Sequence, residues 1–215
     1  MTSESPTASP TESPAAPCGT REAVHEQAVD GFGTVRVVPV DPAADAGVIH
    51  RWVIEERARF WGMGDASREQ VLEIYTHLDS LTTHHAFLAL LGDEPVALFQ
   101  TYEPSADRVG ECYDVDPGDV GVHLMLGPAA GEPRPGYTAA LLSVFVSHVL
   151  SVPGRQRIVA EPDARNEKAI TRLQRTGFVL GPEIVLPEID LPEVYLPEKR
   201  ARLAFLTQES FAGRS

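Results

Sequence analysis

The 215-residue chain is predicted to form one mixed α/β domain, with a central sheet flanked by helices. Three observations carry that expectation. Strand-like and helix-like periods follow one another as β, α, α, a β meander, then loop, α, β, α, β, β. A hydrophobic share of 43% suits a single sizeable core at this length. No internal repeat and no run of bilayer-spanning length interrupts the pattern.

The opening MTSESPTASPTESPAAPCGT is dominated by Pro, Ser, Thr and Glu. Such a stretch cannot bury enough apolar surface to offset its ordering entropy, so residues 1–30 are expected to be a disordered tail and residues 31–215 the folded domain. It lacks the basic-then-apolar order of a secretory signal. TVRVVPV alternates as a strand, and DPAADAGVIHRWVIEE places Ile49, Trp52 and Val53 on one helical face. Ser67 and Gln70 have capping-box spacing ahead of Val71, Tyr75 and Leu78, which recur at helical intervals.

HHAFLALL and PVALFQTY flank Leu91-Gly92-Asp93-Glu94, a hairpin signal, and GVHLMLGP completes the meander. A Gly/Pro-rich loop then feeds a helix striped by Leu141, Leu142, Phe145 and Val149. RIVAE is a short strand. The helix after it faces Ala169, Ile170 and Leu173 inward, carries Arg175 in its last turn and offers Gly177 for a left-handed cap. FVLGPEIVLP and KRARLAFLTQESF close the sheet, and the Pro- and Glu-rich link between them is expected to be an extended surface loop.

With 31 acidic against 18 basic side chains, the formal charge is -13. A phosphate backbone or anionic bilayer would on average be repelled, which argues against nucleic-acid and membrane partners and leaves small molecules. Cys18 and Cys112 make neither a disulfide framework nor zinc spacing, and point to a reducing cytoplasm. His84 and His85 are neighbours in a strand, so they face opposite sides and cannot chelate together; no metal is expected.

A strand, a Gly-containing loop and a helix, followed by a strand and a helix carrying Asn166, Ala169, Leu173, Gly177 and Phe178, resembles the GNAT superfamily of coenzyme A-dependent N-acyltransferases. Within it, FWGM at 60–63, THHAFLAL, GVHLMLGP and EPDARNEKA are similar to signatures of the hydroxamate siderophore acyltransferases of the aerobactin, alcaligin, desferrioxamine and mycobactin branches. The resemblance covers Gly31 to Phe211. It implies a GNAT-like sheet and acyl transfer from acyl-CoA, with acetyl-CoA or succinyl-CoA as donor, to the hydroxylamine nitrogen of N-hydroxycadaverine or N6-hydroxylysine.

The resemblance also implies site residues. His123 and Asp163 would be the catalytic pair at consecutive strand ends, with Asp163 either orienting the imidazole or holding the N-hydroxyl group. An aspartate there also serves as a helix N-cap. A histidine with an ordinary pKa of about 6.5 is a suitable proton acceptor for an N-hydroxyamine, whose nitrogen is already neutral at pH 7. Backbone N–H groups of Leu124, Met125 and Leu126 would polarise the thioester carbonyl. Arg134, Gly136, Tyr137 and Thr138 would meet the pyrophosphate at a helix start, and Asn166 would bond to the pantetheine arm or to the start of its own helix.

The superfamily's loop pattern of Gln or Arg, then Gly, then Gly or Ala reads here as Pro133, Gly136 and Thr138, so only the central position agrees. Phe60, Trp61 and Met63 are expected to wall the acceptor channel, although packing after the first helix would account for them equally. His84 and Glu161 complete the expected substrate contacts, Glu161 standing just before Pro162. Without a GxSxG elbow, direct attack is expected rather than an acyl-enzyme. Two other readings stay open: an acyltransferase for unhydroxylated lysine or another small amine, and a degenerate GNAT fold that serves as a binding module.

Overall fold

The computed structural model describes residues 21–128, 131–132, 134–191 and 194–213. The chain runs β1 (His25–Val29), β2 (Gly33–Pro39), α1 (Pro42–Val53), a 3-10 turn at Glu56–Trp61, α2 (Arg68–Asp79), β3 (His84–Leu91), β4 (Glu94–Tyr102) and β5 (Asp119–Leu126). It continues with α3 (Tyr137–Ser151), β6 (Arg157–Ala160), α4 (Glu167–Thr176), β7 (Val179–Leu186), β8 (Ile189–Leu191), β9 (Val194–Leu196), β10 (Lys199–Thr207) and α5 (Gln208–Ala212). Eight strands form one sheet in the order β1-β2-β3-β4-β5-β6-β10-β7. Every pairing is antiparallel except that of β5 with β6.

Local chemistry places the helices where the sequence puts their signals. Asp41 accepts a bond from the Ala44 N–H to start α1, and Ser67 and Gln70 make both halves of the capping box on α2. Gly92, at a φ of 63°, turns the two-residue hairpin between β3 and β4. Gly177 takes the left-handed position after α4.

Alternation along the strands divides the core into two layers. Val120 and Val122 of β5 pack with Val144, Phe145 and Val149 of α3 and with Leu173 of α4. The Phe99 and Phe145 rings stack there with centroids 4.2 Å apart, a geometry worth about 1 kcal/mol beyond burial. On the opposite face, Met125 joins Ile49, Trp52, Val71 and Tyr75 from α1 and α2. His123, two residues before Met125, shares that second face.

Two expectations are corrected. The tail assigned to residues 1–30 lies partly outside the described residues, but its last part, HEQAV, is strand β1, paired from His25 with Val37 to Val29 with Gly33. A short, half-polar segment of this kind is held by its neighbour, not by its own composition. Arg21 reinforces it through a fork of bonds to the buried Asp45 at 2.6 and 2.8 Å. The Pro- and Glu-rich link also contains a small hairpin, β8 with β9, where a plain loop was expected.

His148 of α3 is buried beneath β1, with its ring 5.6 Å from that of His25 and edge-on to Phe87 at 5.1 Å. Burial, reinforced by the charges of His25 and Arg155, pushes its pKa down to about 4. The fold therefore holds the neutral ring. Between pH 6.5 and 4 the unfolded chain binds a proton that the folded chain refuses, so this contribution is present above pH 6.5 and is lost as pH falls to 4. The expected loss is on the order of 2 kcal/mol, reduced from the full shift for partial solvent access. His148→Phe should narrow the difference between melting temperatures measured at pH 7 and pH 5; an undiminished difference would assign the acid sensitivity elsewhere.

Candidate active site

The site begins where the parallel ladder ends. β5 and β6 are in register at Asp119 with Arg157, Val120 with Ile158 and Gly121 with Val159, and pairing stops there. Beyond that point β5 stays with β4 as far as Leu126, while the chain after β6 stays with β10: Arg202 N–H donates to Pro162 C=O, and Asp163 bridges to Ala201. Each strand follows its outer neighbour, and the two diverge into a fork.

His123 and Glu161 each lie two residues past the last pair and meet across that fork. His123 Nε2 is 2.5 Å from Glu161 Oε1, and the other carboxylate oxygen accepts from the Tyr102 hydroxyl at 2.6 Å. His123 Nδ1 lies 3.2 Å from Gln100 Oε1, and the same amide donates to the Tyr75 hydroxyl at 3.2 Å. The imidazole is 38% exposed, whereas the Glu161 side chain is only 3% exposed. One group can meet a substrate and the other can act only through its neighbour.

Burial alone would raise the Glu161 carboxyl pKa, but the His123 charge and hydrogen bond, Lys199 and the Tyr102 hydroxyl outweigh it and hold the group below its ordinary value. Burial, with the Glu161 charge behind it, drives the Tyr102 hydroxyl well above its ordinary range, so it remains a donor. An ionised carboxylate at Nε2 fixes the proton of a neutral imidazole on that nitrogen. Because Nδ1 faces Gln100 Oε1, both ring nitrogens face acceptors, and Nδ1 carries a lone pair only when Gln100 turns its amide N–H group towards it.

Asp163 corrects an expectation. Its carboxylate does not bond to the imidazole: Oδ1 accepts from the Arg165 backbone N–H and Nε, both at 2.9 Å, and Oδ2 from Arg165 Nη2 at 2.8 Å. Register gives the reason, because Glu161 falls level with His123 and Asp163 comes two residues further along. Sequence reasoning had placed Glu161 among the substrate contacts.

Tyr102, Gln100 and Tyr75 were not foreseen. The available signal was Gly121 inside a strand, which marks a close approach by another group. A side-chain carbon built there would stand 2.1 Å from the Tyr102 ring.

Two other expected residues do different work, and a third takes one of its two expected roles. Gly127 N–H donates to Val96 C=O, so by ladder alternation His123 and Met125 turn their backbone groups to β4, while Leu124 and Leu126 turn theirs towards the fork. Met125 thus leaves the set of N–H groups open to a thioester. Arg134 donates to Gly31 C=O at 2.5 Å and lies over the rings of Phe32 at 4.5 Å and Tyr137 at 5.8 Å, clasping the β1–β2 turn. Asn166 Oδ1 caps α4 through the Ala169 N–H.

Gly136, at a φ of 82°, caps the start of α3; the Tyr137 N–H already donates to Arg134 C=O at 3.2 Å, so what favours an anion here is the positive end of the helix and not a free N–H on Tyr137. Pro133 lies outside the described residues.

Phe60 and Trp61 end the 3-10 turn, and Trp61 stands edge-on to His123 with centroids 6.2 Å apart. Trp61 and Met63 pack on the α1–α2 core. His84 stacks on Tyr102 at 5.7 Å, with Nε2 4.0 Å from Asp107, and so touches the site through the tyrosine. Among the described residues, no group of three or more His, Cys, Asp or Glu side chains is gathered to hold a metal ion. No helix among them is long and apolar enough to cross a membrane.

Among the described residues the sheet opens between its one parallel pair of strands, with the His123 imidazole on one face. Residues 41–186 match the family described as acetyltransferase (GNAT) domain, and the chain belongs to that family of acetyltransferases. N(6)-hydroxylysine O-acetyltransferase from Escherichia coli is 29% identical over 141 residues, which is 64% of this chain. The chain spans 44% of that relative's length.

Solved structures share the fold. A protein of unassigned function from Bacillus halodurans superposes with a TM-score of 0.73 at 22% identity, covering 88% of this chain and 93% of its own. Aminoglycoside acetyltransferase AAC(6')-Ib with coenzyme A gives 0.69 at 21% identity, covering 84% and 99%. Spermidine N-acetyltransferase from Vibrio cholerae, with CoA and spermine, gives 0.61 at 13% identity, covering 83% and 98%.

Proposed function

We propose that the protein is an acyl-CoA-dependent N-acyltransferase of hydroxamate siderophore biosynthesis, acting on the hydroxylamine nitrogen of N-hydroxycadaverine or N6-hydroxylysine. The observation that carries this reading is the His123–Glu161 pair at the mouth of the fork. The likeness to a relative named N(6)-hydroxylysine O-acetyltransferase and the sequence signatures support this choice of substrate class.

In this reading the acyl thioester lies in the fork, with its carbonyl oxygen towards the backbone N–H groups of Leu124 or Leu126. The acceptor nitrogen approaches from the α1–α2 face. A C–N bond forms, the nitrogen's proton passes to His123 Nδ1, and collapse of the tetrahedral intermediate breaks the C–S bond and releases the thiolate, which takes up a proton. Glu161 stabilises the imidazolium formed on the way, and Gln100 can turn its amide to accommodate either state of Nδ1. No acyl-enzyme is formed. Acetyl-CoA is the first donor to examine and succinyl-CoA the second.

The acceptor test follows from protonation. An alkylamine of ordinary pKa about 10.4 is neutral in only about one molecule in 10³ at pH 7, whereas an N-hydroxyamine is neutral already. A base such as His123 suits the second far better. N-hydroxycadaverine or N6-hydroxylysine should exceed the parent amine in kcat/KM by about 100-fold or more; equal rates would shift the reading to an unhydroxylated amine, of the kind named for the solved spermidine enzyme. Calorimetry with acetyl-CoA addresses the binding-module alternative, which would be favoured if no acyl-CoA bound at millimolar concentration.

A further inference from the structure

The acceptor face contains a second polar station that the acyl-transfer chemistry leaves unused. Arg165 is 81% exposed, yet its guanidinium is fixed, because Nε and Nη2 are both held by the Asp163 carboxylate, itself only 5% exposed. Asp163 is in turn anchored by the Arg165 backbone N–H and by its bridge to β10. The bonded edge of the fork faces Asp163, and the Nη1 edge is left to the exterior. A guanidinium fixed in this way loses little freedom when it takes a carboxylate.

Its position suits the far end of a particular acceptor. Asp163 follows Glu161 by two residues, a rise of about 7 Å along an extended chain. The skeleton of lysine from Nε to the carboxyl carbon is six bonds, the same number as two residues of backbone, and spans about 7 Å when extended. Phe60 and Trp61 bridge the interval: Trp61 stands against His123, and the Phe60 ring lies 5.7 Å from the Arg165 guanidinium carbon. Arg59, whose guanidinium lies 4.6 Å from the same ring, is paired with Glu56 at 3.2 Å. An aliphatic chain laid along these two rings would put its nitrogen at His123 and its other end at the Nη1 edge of Arg165.

We propose that Arg165, clamped by Asp163, receives a carboxylate at the far end of the acceptor, so that the acceptor is an N-hydroxylated amino acid and not an N-hydroxylated diamine. A diamine would bring an ammonium to a guanidinium edge that offers only N–H donors, which a carboxylate can accept from and an ammonium cannot. The inference rests on the acyl-transfer reading above and narrows it to one substrate class. It gives Asp163 a positioning role, distinct from the two expected from sequence, orienting His123 or holding the N-hydroxyl group.

The test compares N6-hydroxylysine, its methyl ester and N-hydroxycadaverine with acetyl-CoA, in the wild type, Arg165→Gln and Arg165→Lys. The wild type should favour N6-hydroxylysine over the other two by about 10- to 100-fold in kcat/KM. Arg165→Gln should raise KM for N6-hydroxylysine by a similar factor with kcat within about twofold, and should erase the preference for the acid over its ester. Arg165→Lys should recover part of the loss.

An unchanged acid-to-ester ratio in Arg165→Gln overturns the proposal, as does an ester accepted as readily as the acid by the wild type. Failure of the parent reading has a different signature: N-hydroxylation would bring no advantage, while free lysine could still bind with Arg165-dependent affinity. Should no acceptor turn over, calorimetry of N6-hydroxylysine and lysine on the CoA-loaded protein decides. Weaker binding to Arg165→Gln supports the station, and equal binding rejects it.

Discussion

Replacing His123 with alanine is expected to lower kcat by about 10²- to 10⁴-fold, the usual worth of a positioned proton acceptor, while acetyl-CoA binds within about threefold of its wild-type affinity. The separation follows from geometry. The imidazole projects to the α1–α2 face, whereas the groups turned into the fork are the backbones of Leu124 and Leu126, which the substitution leaves in place. Steady-state kinetics with N6-hydroxylysine, alongside calorimetry with acetyl-CoA, measures both quantities. Equal loss of both, or full activity, would remove His123 from the chemistry.

The same experiment separates the two carboxylates. Glu161→Gln removes the charge that fixes the tautomer and stabilises the imidazolium, so its effect should fall on kcat. Asp163→Asn loosens Arg165, and its effect should fall mainly on KM for the acceptor. The reverse pattern would restore Asp163 as the partner of His123.

The second large effect is expected at Gly121. A methyl group there would stand 2.1 Å from two carbons of the Tyr102 ring, too close to coexist without movement. Tyr102 is buried and its hydroxyl holds Glu161, so the ring cannot move without disturbing the carboxylate that orients His123. Gly121→Ala should therefore destabilise the protein by about 1–3 kcal/mol and lower kcat at temperatures where the variant is still folded. Adding Tyr102→Leu should recover stability by vacating the space, yet leave kcat low because the bond to Glu161 is gone. Thermal denaturation and kinetics on the two variants test the linkage; full activity in Gly121→Ala would break it.

The fold was legible because its signals are local. The capping box at Ser67, the turn at Gly92 and the left-handed cap at Gly177 each act within a few residues, and each forms as the sequence predicts. β1 was missed because HEQAV has no strong period of its own and depends on pairing with β2. The site was legible only in part. His123 could be placed on its face by alternation along one strand.

Its partner depended on the register between strands joined by a long crossover, and a single sequence does not state register. A shift of two residues keeps the same face, so Glu161 and Asp163 are equivalent by alternation and differ only by where the ladder with β5 stops. Tyr102 and Gln100 belong to β4 and reach the site by the register of β4 with β5, a second non-local quantity.

The brevity of the β5–β6 ladder has a bearing on how activity arises during synthesis. His123 belongs to a meander finished by residue 126, and the carboxylate bonded to it arrives only with residues 157–161, held in place by a strand completed at residue 207. A nascent chain, or one clipped in its last third, would already possess the imidazole but have no charge at Nε2 to set its tautomer. Such a fragment should be chemically silent, so turnover itself would report that the meander and the last third of the chain have come together.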